Sequence, residues 1–481
     1  MALLETQTKP PTHQAAEEQS EATAIEQMRA AFATQQQAFA KDRHPTLAVR
    51  RERLERMIPM MNNNRDRICE ALAADFGVHP PPATDMLEVQ PVTARVEYAL
   101  AHLEEWMKPI PREVDAPYRG GLHAYVKSQP KGVVGNIVPW NFPFEIGFGP
   151  LVDMLAAGNR IMLKPSEFAP VCADLIREMA KATFDEDLVY VAVGGLEIAR
   201  AFSALPFDHL LYTGSSNVGR QIMASAAKNL TPVTLELGGK CPAILLEGAV
   251  TAENVGGILG VKMIKNGQMC VSVDHCLVPR VELHTFTQLA QDFMAQTAPD
   301  YAHSPACTGI ISARHLERLE ALLADATARG AKVVTLENDT TINRYTRQMP
   351  LSLVIDPDAD LQLMREEIFG PILPVIPYDS IEDVIATINA GDRPLGLYVY
   401  GTDLETIDHV LTETSSGGSA VNACAVQAAL KALAFGGVGA SGMGRHHGEE
   451  GFREFSNQRG IAVRGAGPQL DTMVAALGAL T

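Results

Sequence analysis

The segment from Lys131 to Leu237 decides the fold, because short β-rich runs alternate in it with helical stretches. The runs read VVGNIV (133–138), RIML (160–163), VYVAV (189–193), HLLY (209–212) and PVTLEL (232–237). The helical stretches between them lie at 146–157, 171–181, 196–204 and 217–228. Strand followed by helix, repeated, predicts an α/β fold with a parallel sheet covered on both faces. Ligands of such sheets bind at the carboxyl ends of the strands.

The alternation resumes after the glycine pair at 238–239. Strand-like runs lie at 242–246 and 274–278, with helical stretches at 255–265 and near Phe286 and His315. We therefore predict a second α/β domain, with residues 236–240 at the junction and Cys270 early in the new domain. A cleft between the two domains would bring these residues together.

Two outlying regions carry weaker patterns. The segment DAPYRGGLHAYVKSQPK (115–131) has turn residues beside alternating apolar positions, which predicts a projecting hairpin. Together with the strand-like run at 460–464, this hairpin could pair between subunits through exposed edges. Residues 1–20 are polar and lack periodicity, so we expect a disordered tail there.

The composition excludes several classes of protein. Among 481 residues, 46% are hydrophobic and 20% are charged, as in globular proteins. Acidic residues outnumber basic ones by 57 to 40 without a Lys/Arg stripe, so we expect no nucleic acid as a partner. No uncharged apolar run reaches the ~18 residues that a membrane span needs, so no membrane association is expected. The seven cysteines are scattered without a C-x-x-C pair, which predicts that the protein resides in a reducing cytoplasm.

The turns after two predicted strands carry groups suited to a nucleotide. Gly214 lets the backbone approach a ligand, and Ser215 can cap the next helix while its N–H groups face an anion. Lys164 and Glu167 are suited to hydrogen bonding with ribose hydroxyls. Simple helix capping would also explain the first turn, and a surface ion pair would explain the second.

Three candidate catalytic groups lie in separate stretches. Cys270 ends a predicted helix in a glycine-containing segment, which favours an accessible thiol, although a single cysteine is more often a small buried hydrophobe. Glu236 lies in an apolar strand, where burial would raise its pKa toward that of a useful general base; on an edge strand it would instead point to water. Asn141, flanked by aromatics and prolines, is either a fixed donor for an oxyanion or part of a buried turn.

Motifs of several other enzyme classes are absent. The chain contains no G-x-G-x-x-G after a strand, no phosphate-binding P-loop, no H-E-x-x-H and no G-x-S-x-G. His446 and His447 are followed by two glutamates, which would permit metal ligation. Adjacent histidines on a glycine-rich loop are more often solvated, so we predict no metal.

Taken together, these segments resemble the aldehyde dehydrogenase superfamily over about residues 25–465. The resemblance is carried by Pro139-Trp140-Asn141, Lys164-Pro165-Ser166-Glu167, Tyr212-Thr213-Gly214-Ser215, Glu236-Leu237-Gly238-Gly239-Lys240, Gly267-Gln268-Met269-Cys270 and Glu367-Ile368-Phe369-Gly370-Pro371. It implies a Rossmann-like dinucleotide-binding domain, a second α/β catalytic domain and a projecting β-hairpin oligomerisation arm. The expected bounds are 21–114 with 131–237 for the first, 238–430 for the second, and 115–130 with 455–470 for the arm.

The resemblance also implies roles for individual residues. Cys270 would be the nucleophile, Glu236 the general base and Asn141 an oxyanion donor. NAD, with NADP as the alternative, would be bound by Pro139, Trp140, Lys164, Glu167, Gly214, Ser215, Val218, Leu237, Gly238, Glu367 and Phe369. Within this set, Lys164 and Glu167 would hold the adenosine ribose and Ser215 the pyrophosphate. Glu367 and Phe369 would hold the nicotinamide ribose and ring.

The segments at 205–215 and 229–240 look most like bacterial coniferyl aldehyde dehydrogenases, and the ending at 435–444 looks like a branch that includes dimeric enzymes. The implied reaction is NAD-dependent oxidation of an aromatic aldehyde, such as coniferyl aldehyde, to its acid in a homodimer. A medium-chain aliphatic aldehyde as substrate and a CoA-acylating reaction are the alternatives. Tyr212, where Phe is common, and Ala434, where Pro is usual, depart from the family pattern.

Overall fold

The computed structural model describes residues 13–115 and 122–465, together with residue 478. Its helices are α1 (His13–Lys41), α2 (Leu47–Glu55), α3 (Met57–Asn63), α4 (Arg65–Phe76), α5 (Pro81–Thr84), α6 (Gln90–Trp106), α7 (Pro143–Ala157), α8 (Pro170–Thr183), α9 (Leu196–Ser203), α10 (Ser216–Ala227), α11 (Ala252–Met263), α12 (Leu283–Thr297), α13 (Ala313–Ala328), α14 (Gln362–Arg365), α15 (Ile381–Ala390), α16 (Leu404–Glu413) and α17 (Gly448–Glu454). A π-helical turn, Asp85–Val89, precedes α6, and a 3-10 turn, Ile264–Gly267, follows α11.

The strands form three sheets. They are β1 (Ile110–Arg112), β2 (Leu122–Pro130), β3 (Val133–Ile137), β4 (Arg160–Lys164), β5 (Val189–Val191), β6 (His209–Thr213), β7 (Val233–Glu236), β8 (Pro242–Leu245), β9 (His275–Pro279), β10 (Lys332–Thr335), β11 (Ser352–Ile355), β12 (Ile372–Tyr378), β13 (Gly396–Tyr400), β14 (Gly418–Val421), β15 (Gly442–Met443) and β16 (Ser456–Arg464).

The first sheet has the order β15-β7-β6-β3-β4-β5. Its strands β3 to β7 are parallel, and β15 pairs antiparallel with β7. All five predicted strands occur within one or two residues of their expected ends. Because these strands are parallel, the turns that follow β3, β4, β6 and β7 meet at one edge of the sheet.

The second sheet has the order β10-β11-β12-β9-β8-β13-β14. Only β10 runs antiparallel to its neighbour; the other pairs are parallel. The predicted α/β fold class is therefore confirmed. The domain bounds given above remain predictions.

Helices cover both faces of the first sheet. On one face, α7 starts with Pro143, ends before the left-handed Gly158 (φ 91°) and buries nearly all its residues. Side chains such as Val96, Phe148 and Ile161 join it to the N-terminal helices in one core. The other face packs Phe32 of α1 against Phe207. This packing holds α7 rigidly, and α7 begins two residues after Asn141.

The third sheet is antiparallel, with β2 between β1 and β16. The hairpin extends beyond the predicted segment 115–130, because its first strand is Ile110–Arg112. Pro111 is tolerated there because β1 is an edge strand. Residues 116–121 and 466–470 of the predicted arm lie outside the described part of the chain.

The N-terminal region differs from the prediction. Helix α1 begins at His13, so residues 13–20 are helical where a disordered tail was expected. Their sequence, HQAAEEQS, is rich in Ala, Glu and Gln, which favour helices. Residues 1–12 lie outside the described residues. Among the helices that the structure describes, none has the length and apolarity to cross a bilayer.

Candidate active site

The loop that carries Cys270 has an unusual backbone. After α11, the residues Lys265, Asn266 and Gly267 have φ angles of 48°, 52° and 77°. Such left-handed backbone costs free energy at non-glycine positions and often occurs at functional sites. At Gly267, a Cβ atom would lie 2.3 Å from the carbonyl oxygen of Gly370, so only glycine fits. The loop therefore turns sharply and places Cys270 where the two large sheets meet.

A Gly267→Ala variant is expected to lose about 3 kcal/mol of stability, because the new Cβ overlaps the Gly370 backbone and the positive φ is strained. Thermal unfolding should show a lower midpoint. Gly257 of α11 is a matched control, since a Cβ there meets nothing within 4 Å. Gly257→Ala should leave the midpoint unchanged or raise it. Equal midpoints for both variants would contradict the argument.

Side chains fasten this loop in place. Gln268 is fully buried, and its amide donates to the Lys265 carbonyl at 2.9 Å and to the Gly309 carbonyl at 3.0 Å. Its side-chain oxygen accepts from Ile311 N at 3.0 Å. Asn141 Nδ2 donates to the Gln268 carbonyl at 3.2 Å. The Asn141 amide is thus hydrogen-bonded to the residue that lies two positions before Cys270.

Cys270 and Glu236 line one cavity of about 500 Å³. Most of the lining is apolar, including Met86, Leu87, Phe142, Ile146, Met269 and Phe435. Cys270 is partly exposed, so it is not a small hydrophobe sealed in the core. Burial raises the pKa of its thiol, and the nearby carboxylates Glu367 and Glu236 raise it further. A thiol with a raised pKa must lose its proton before it reacts as a nucleophile.

Glu236 is buried, which is one of the two alternatives that its position in an apolar strand left open. Strand β7 lies between β6 and β15, so Glu236 is only 2% exposed and the edge-strand alternative is wrong. Both of its side-chain oxygens lack a hydrogen-bond partner among the described residues. Burial raises the pKa of this carboxyl well above its ordinary value, against the opposing charge of Arg445. A buried, unpartnered carboxyl with a raised pKa is suited to accept a proton near neutral pH.

The carboxyl edge of the first sheet carries the predicted nucleotide-binding residues. Ser215 caps α10, its Oγ accepting from Val218 N at 3.4 Å, while the Val218 side chain is exposed. Lys164 is buried, and its Nζ lies 3.4 Å from Glu167 Oε2, whose side chain is 40% exposed. The pair is therefore more than a surface contact, because the Lys164 ammonium is buried while the Glu167 carboxylate is exposed to solvent.

The remaining predicted cofactor residues lie where the two sheets meet. The ring centroids of Trp140 and Phe369 are 5.4 Å apart, nearly perpendicular. The Glu367 carboxylate lies over Gly238, where a Cβ would be 2.1 Å from Glu367 Oε2. Burial, with Asp274 nearby, raises the pKa of Glu367 to about 8. Pro139 and Leu237 follow the ends of β3 and β7 at the same edge.

A dinucleotide fits this arrangement. The capped start of α10 presents N–H groups to an anion. Phe369 has a left-handed backbone, with φ 52°, and its ring contacts that of Trp140. Such strained residues often mark ligand sites. The exposed Glu167 beside the buried Lys164 can accept from ribose hydroxyls. Aromatic, carboxylate and helix-terminus groups thus lie at the carboxyl edge of the first sheet and at its junction with the second.

The comparison with known proteins identifies the family. Residues 5–461 match the profile of the aldehyde dehydrogenase family. The chain belongs to this family. It is an aldehyde dehydrogenase, an oxidoreductase acting on the aldehyde group.

Relatives of this aldehyde dehydrogenase cover nearly the whole chain. A probable coniferyl aldehyde dehydrogenase of Caulobacter vibrioides is 40% identical over 89% of this chain and 89% of its own length. A substrate-bound Staphylococcus aureus AldH structure has a TM-score of 0.87 at 30% identity, covering 94% of this chain and 99% of its own. A Mycobacterium tuberculosis aldehyde dehydrogenase complexed with NAD+ has a TM-score of 0.80 at 28% identity, covering 91% of this chain and 90% of its own.

The expectation that the adjacent histidines of this aldehyde dehydrogenase are solvated is wrong. His446 and His447 are buried rather than solvated. The rings of Phe435 and His447 are stacked, with centroids 5.1 Å apart, and His447 N donates to Asp153 Oδ2 at 3.1 Å. These two contacts hold the loop inside the protein. His446 Nε2 lies 3.9 Å from Glu236 Oε1, and burial keeps the pKa of His446 well below its ordinary value. A neutral imidazole thus borders the candidate base.

The sequence reading missed two groups at the site. Lys265 and Glu88 form an ion pair in which both side chains are fully buried. Lys265 stands only five residues before Cys270, at the end of the helical stretch predicted at 255–265. Because Lys262 lies in the same stretch, the sequence gives no local signal that singles out Lys265. Nothing local marks Glu88.

Proposed function

We propose that this aldehyde dehydrogenase oxidises an aromatic aldehyde of the coniferyl type to its carboxylic acid, with NAD as the preferred cofactor. The observation that carries the proposal is the shared cavity, in which Cys270 and Glu236 face an apolar space of about 500 Å³. Such a lining suits an aromatic substrate, whose ring gains from leaving water. The 40% identity to a probable coniferyl aldehyde dehydrogenase supports the same substrate class.

In the first step, the Cys270 thiol loses its proton to solvent, the sulfur bonds to the aldehyde carbon, and the carbonyl electron pair moves to oxygen. Asn141 Nδ2 has a second N–H besides the one donated to Gln268, and this N–H and a backbone N–H stabilise the new oxyanion. A bound nicotinamide would supply the hydride acceptor for the former aldehyde carbon, and the acyl group would remain on the Cys270 sulfur as a thioester.

In the second step, Glu236 removes a proton from water, and the resulting hydroxide attacks the thioester carbon. The C–S bond breaks, the carboxylic acid leaves, and the proton on Glu236 passes to the Cys270 thiolate, which restores both groups. The raised pKa of Glu236 makes its carboxylate a stronger base than an exposed glutamate. Its two oxygens accept no hydrogen bond from the described residues, so both remain available as acceptors for a water.

The proposal is tested with a panel of aromatic and medium-chain aliphatic aldehydes, with NAD reduction as the readout. The highest kcat/KM should belong to cinnamaldehyde-type substrates, and the free acid should be the product. A clear preference for aliphatic aldehydes would overturn the substrate class. Acyl-CoA as the main product when CoA is added would overturn the hydrolytic second step.

We further propose that Glu167 sets the cofactor preference. Its carboxylate beside Lys164 would repel the additional 2′-phosphate of NADP. Glu167→Gln should therefore raise the NADP/NAD ratio of kcat/KM about tenfold at low salt. Glu178→Gln, which removes an exposed carboxylate on α8, is the matched control and should leave the ratio unchanged. A wild-type enzyme that strongly prefers NADP would contradict this assignment.

The arm and the location of the enzyme are also proposals. The outer edge of β16 offers backbone groups for pairing with a second copy, which supports a homodimer. Analytical ultracentrifugation would test it, and a tetramer or monomer would contradict it. All seven cysteines are free thiols, which supports the predicted reducing cytoplasm.

A further inference from the structure

The buried ion pair between Glu88 and Lys265 borders Asn141 and the loop that carries Cys270. Both side chains are fully buried, and Lys265 Nζ contacts Glu88 Oε1. Nζ also donates to the Asn141 carbonyl at 2.6 Å and lies 4.3 Å from the ring centroid of Phe142. Removing two charges from water is costly, and apolar side chains often stabilise a core as well. Stability alone therefore gives little reason for this pair.

Glu88 also holds the start of α7. Its second oxygen, Oε2, accepts from Phe144 N at 3.1 Å and from Glu145 N at 3.0 Å. These N–H groups belong to the first turn of the helix, which favours a negative charge. Asn141 is thus bordered on its carboxyl side by a helix start that Glu88 caps, and its own carbonyl is bound by Lys265.

The contacts around Lys265 close into a ring. Lys265 Nζ donates to the Asn141 carbonyl, Asn141 Nδ2 donates to the Gln268 carbonyl, and Gln268 Nε2 donates to the Lys265 carbonyl. This ring joins the Asn141 side chain to the left-handed loop that ends at Cys270. A displacement of the Lys265 side chain would therefore move the amide and the thiol relative to each other.

We propose that Glu88 and Lys265 are positioning residues, which hold the Asn141 amide and the Cys270 loop in register for oxyanion formation. This inference rests on the proposed function, since it assigns the pair to the addition step of that reaction. Neither residue touches the reacting atoms. Their effect is geometric, and a misplacement of about 1 Å at such a site can cost ~100-fold in rate.

The test removes both charges together, because a single replacement would leave a buried charge unpaired and could prevent folding. In Glu88→Gln/Lys265→Met, the glutamine oxygen still accepts from the start of α7. We expect cooperative unfolding, unchanged NAD binding by fluorescence titration, KM within about threefold of wild type, and kcat lowered ~100-fold. Glu105→Gln/Lys108→Met, which neutralises an exposed pair of the same residue types, should retain wild-type kcat.

A mutant cycle with Asn141→Ala separates positioning from a general structural role. In the wild-type background this change should lower kcat about 100- to 1,000-fold, as the loss of an oxyanion donor does. In the pair-free background it should cost less than about tenfold, because the amide is already misplaced. Full multiplication of the two losses, or a pair-free enzyme with wild-type kcat, would overturn the inference.

A fallback variant keeps the inference testable if the pair-free protein does not unfold cooperatively. Glu88→Asp retains the charge and shortens the side chain by one methylene, so the same cycle with Asn141→Ala applies. Failure of the proposed function is distinguishable, because it would appear as a wild-type protein without aldehyde-dependent NAD reduction. Failure of the inference would leave the wild-type reaction intact and the two losses independent.

Discussion

Cys270→Ala is expected to lower aldehyde-dependent NADH formation by ~10⁴-fold or more, because it removes the sulfur that bonds to the aldehyde carbon. The thiol is partly exposed to the cavity that Glu236 also lines. Alanine occupies less space than cysteine at a partly exposed position, so the fold should persist. Initial-rate assays at saturating NAD measure the effect, and NAD binding by fluorescence should be retained.

A matched control for this variant is Cys69→Ala. Cys69 is also a partly exposed free thiol, but it lies on α4 rather than in the cavity. Its replacement should leave the rate unchanged. If Cys270→Ala kept wild-type turnover, the covalent mechanism would be wrong. If Cys69→Ala were also inactive, the loss would have to be attributed to a general effect of cysteine removal.

Glu236→Gln is expected to lower steady-state turnover about 10²- to 10⁴-fold, because water then attacks the thioester without a general base. The first turnover should survive, since Cys270 and Asn141 remain in place. Rapid-mixing experiments should therefore show a burst of about one NADH per active site, followed by a slow steady state. The exposed carboxylate Glu253 is a control, and Glu253→Gln should behave as wild type.

Loss of the burst together with turnover would show that Glu236 acts before the thioester forms. The pH dependence adds a second criterion. Burial raises the pKa of Glu236, and a base works only when deprotonated, so wild-type deacylation should increase with pH over a range well above that of an ordinary glutamate. In Glu236→Gln this rising limb should be absent from the slow phase. The Cys270 thiol, whose pKa is also raised, would still affect the burst.

The prediction of the first sheet succeeded because its signal is local. Alternating β-rich runs and helical stretches place β3, β4, β6 and β7 within two residues of the observed strands. Parallel strands end at one edge, so the predicted grouping of Trp140, Lys164 and Ser215 along that edge followed from the strand direction.

The errors occurred where the outcome depends on packing between distant segments. The pair at 446–447 looks solvated in a glycine-rich loop, yet the ring of Phe435 and the carboxylate of Asp153 draw it inside. The first strand of the hairpin, at 110–112, contains a proline and lacks strand periodicity. It becomes a strand because β2 offers an unpaired edge.

Periodicity and turn residues were enough to predict the α/β class and the strand order along the chain. The set of reacting groups was implied by the resemblance of the motifs to the family and remains a prediction. Burial of Glu236 and the Glu88–Lys265 contact across 177 positions were decided only by the folded chain. The physical reason is range: backbone preferences act over a few residues, whereas desolvation and buried charge pairing depend on which distant side chains exclude water from the same volume.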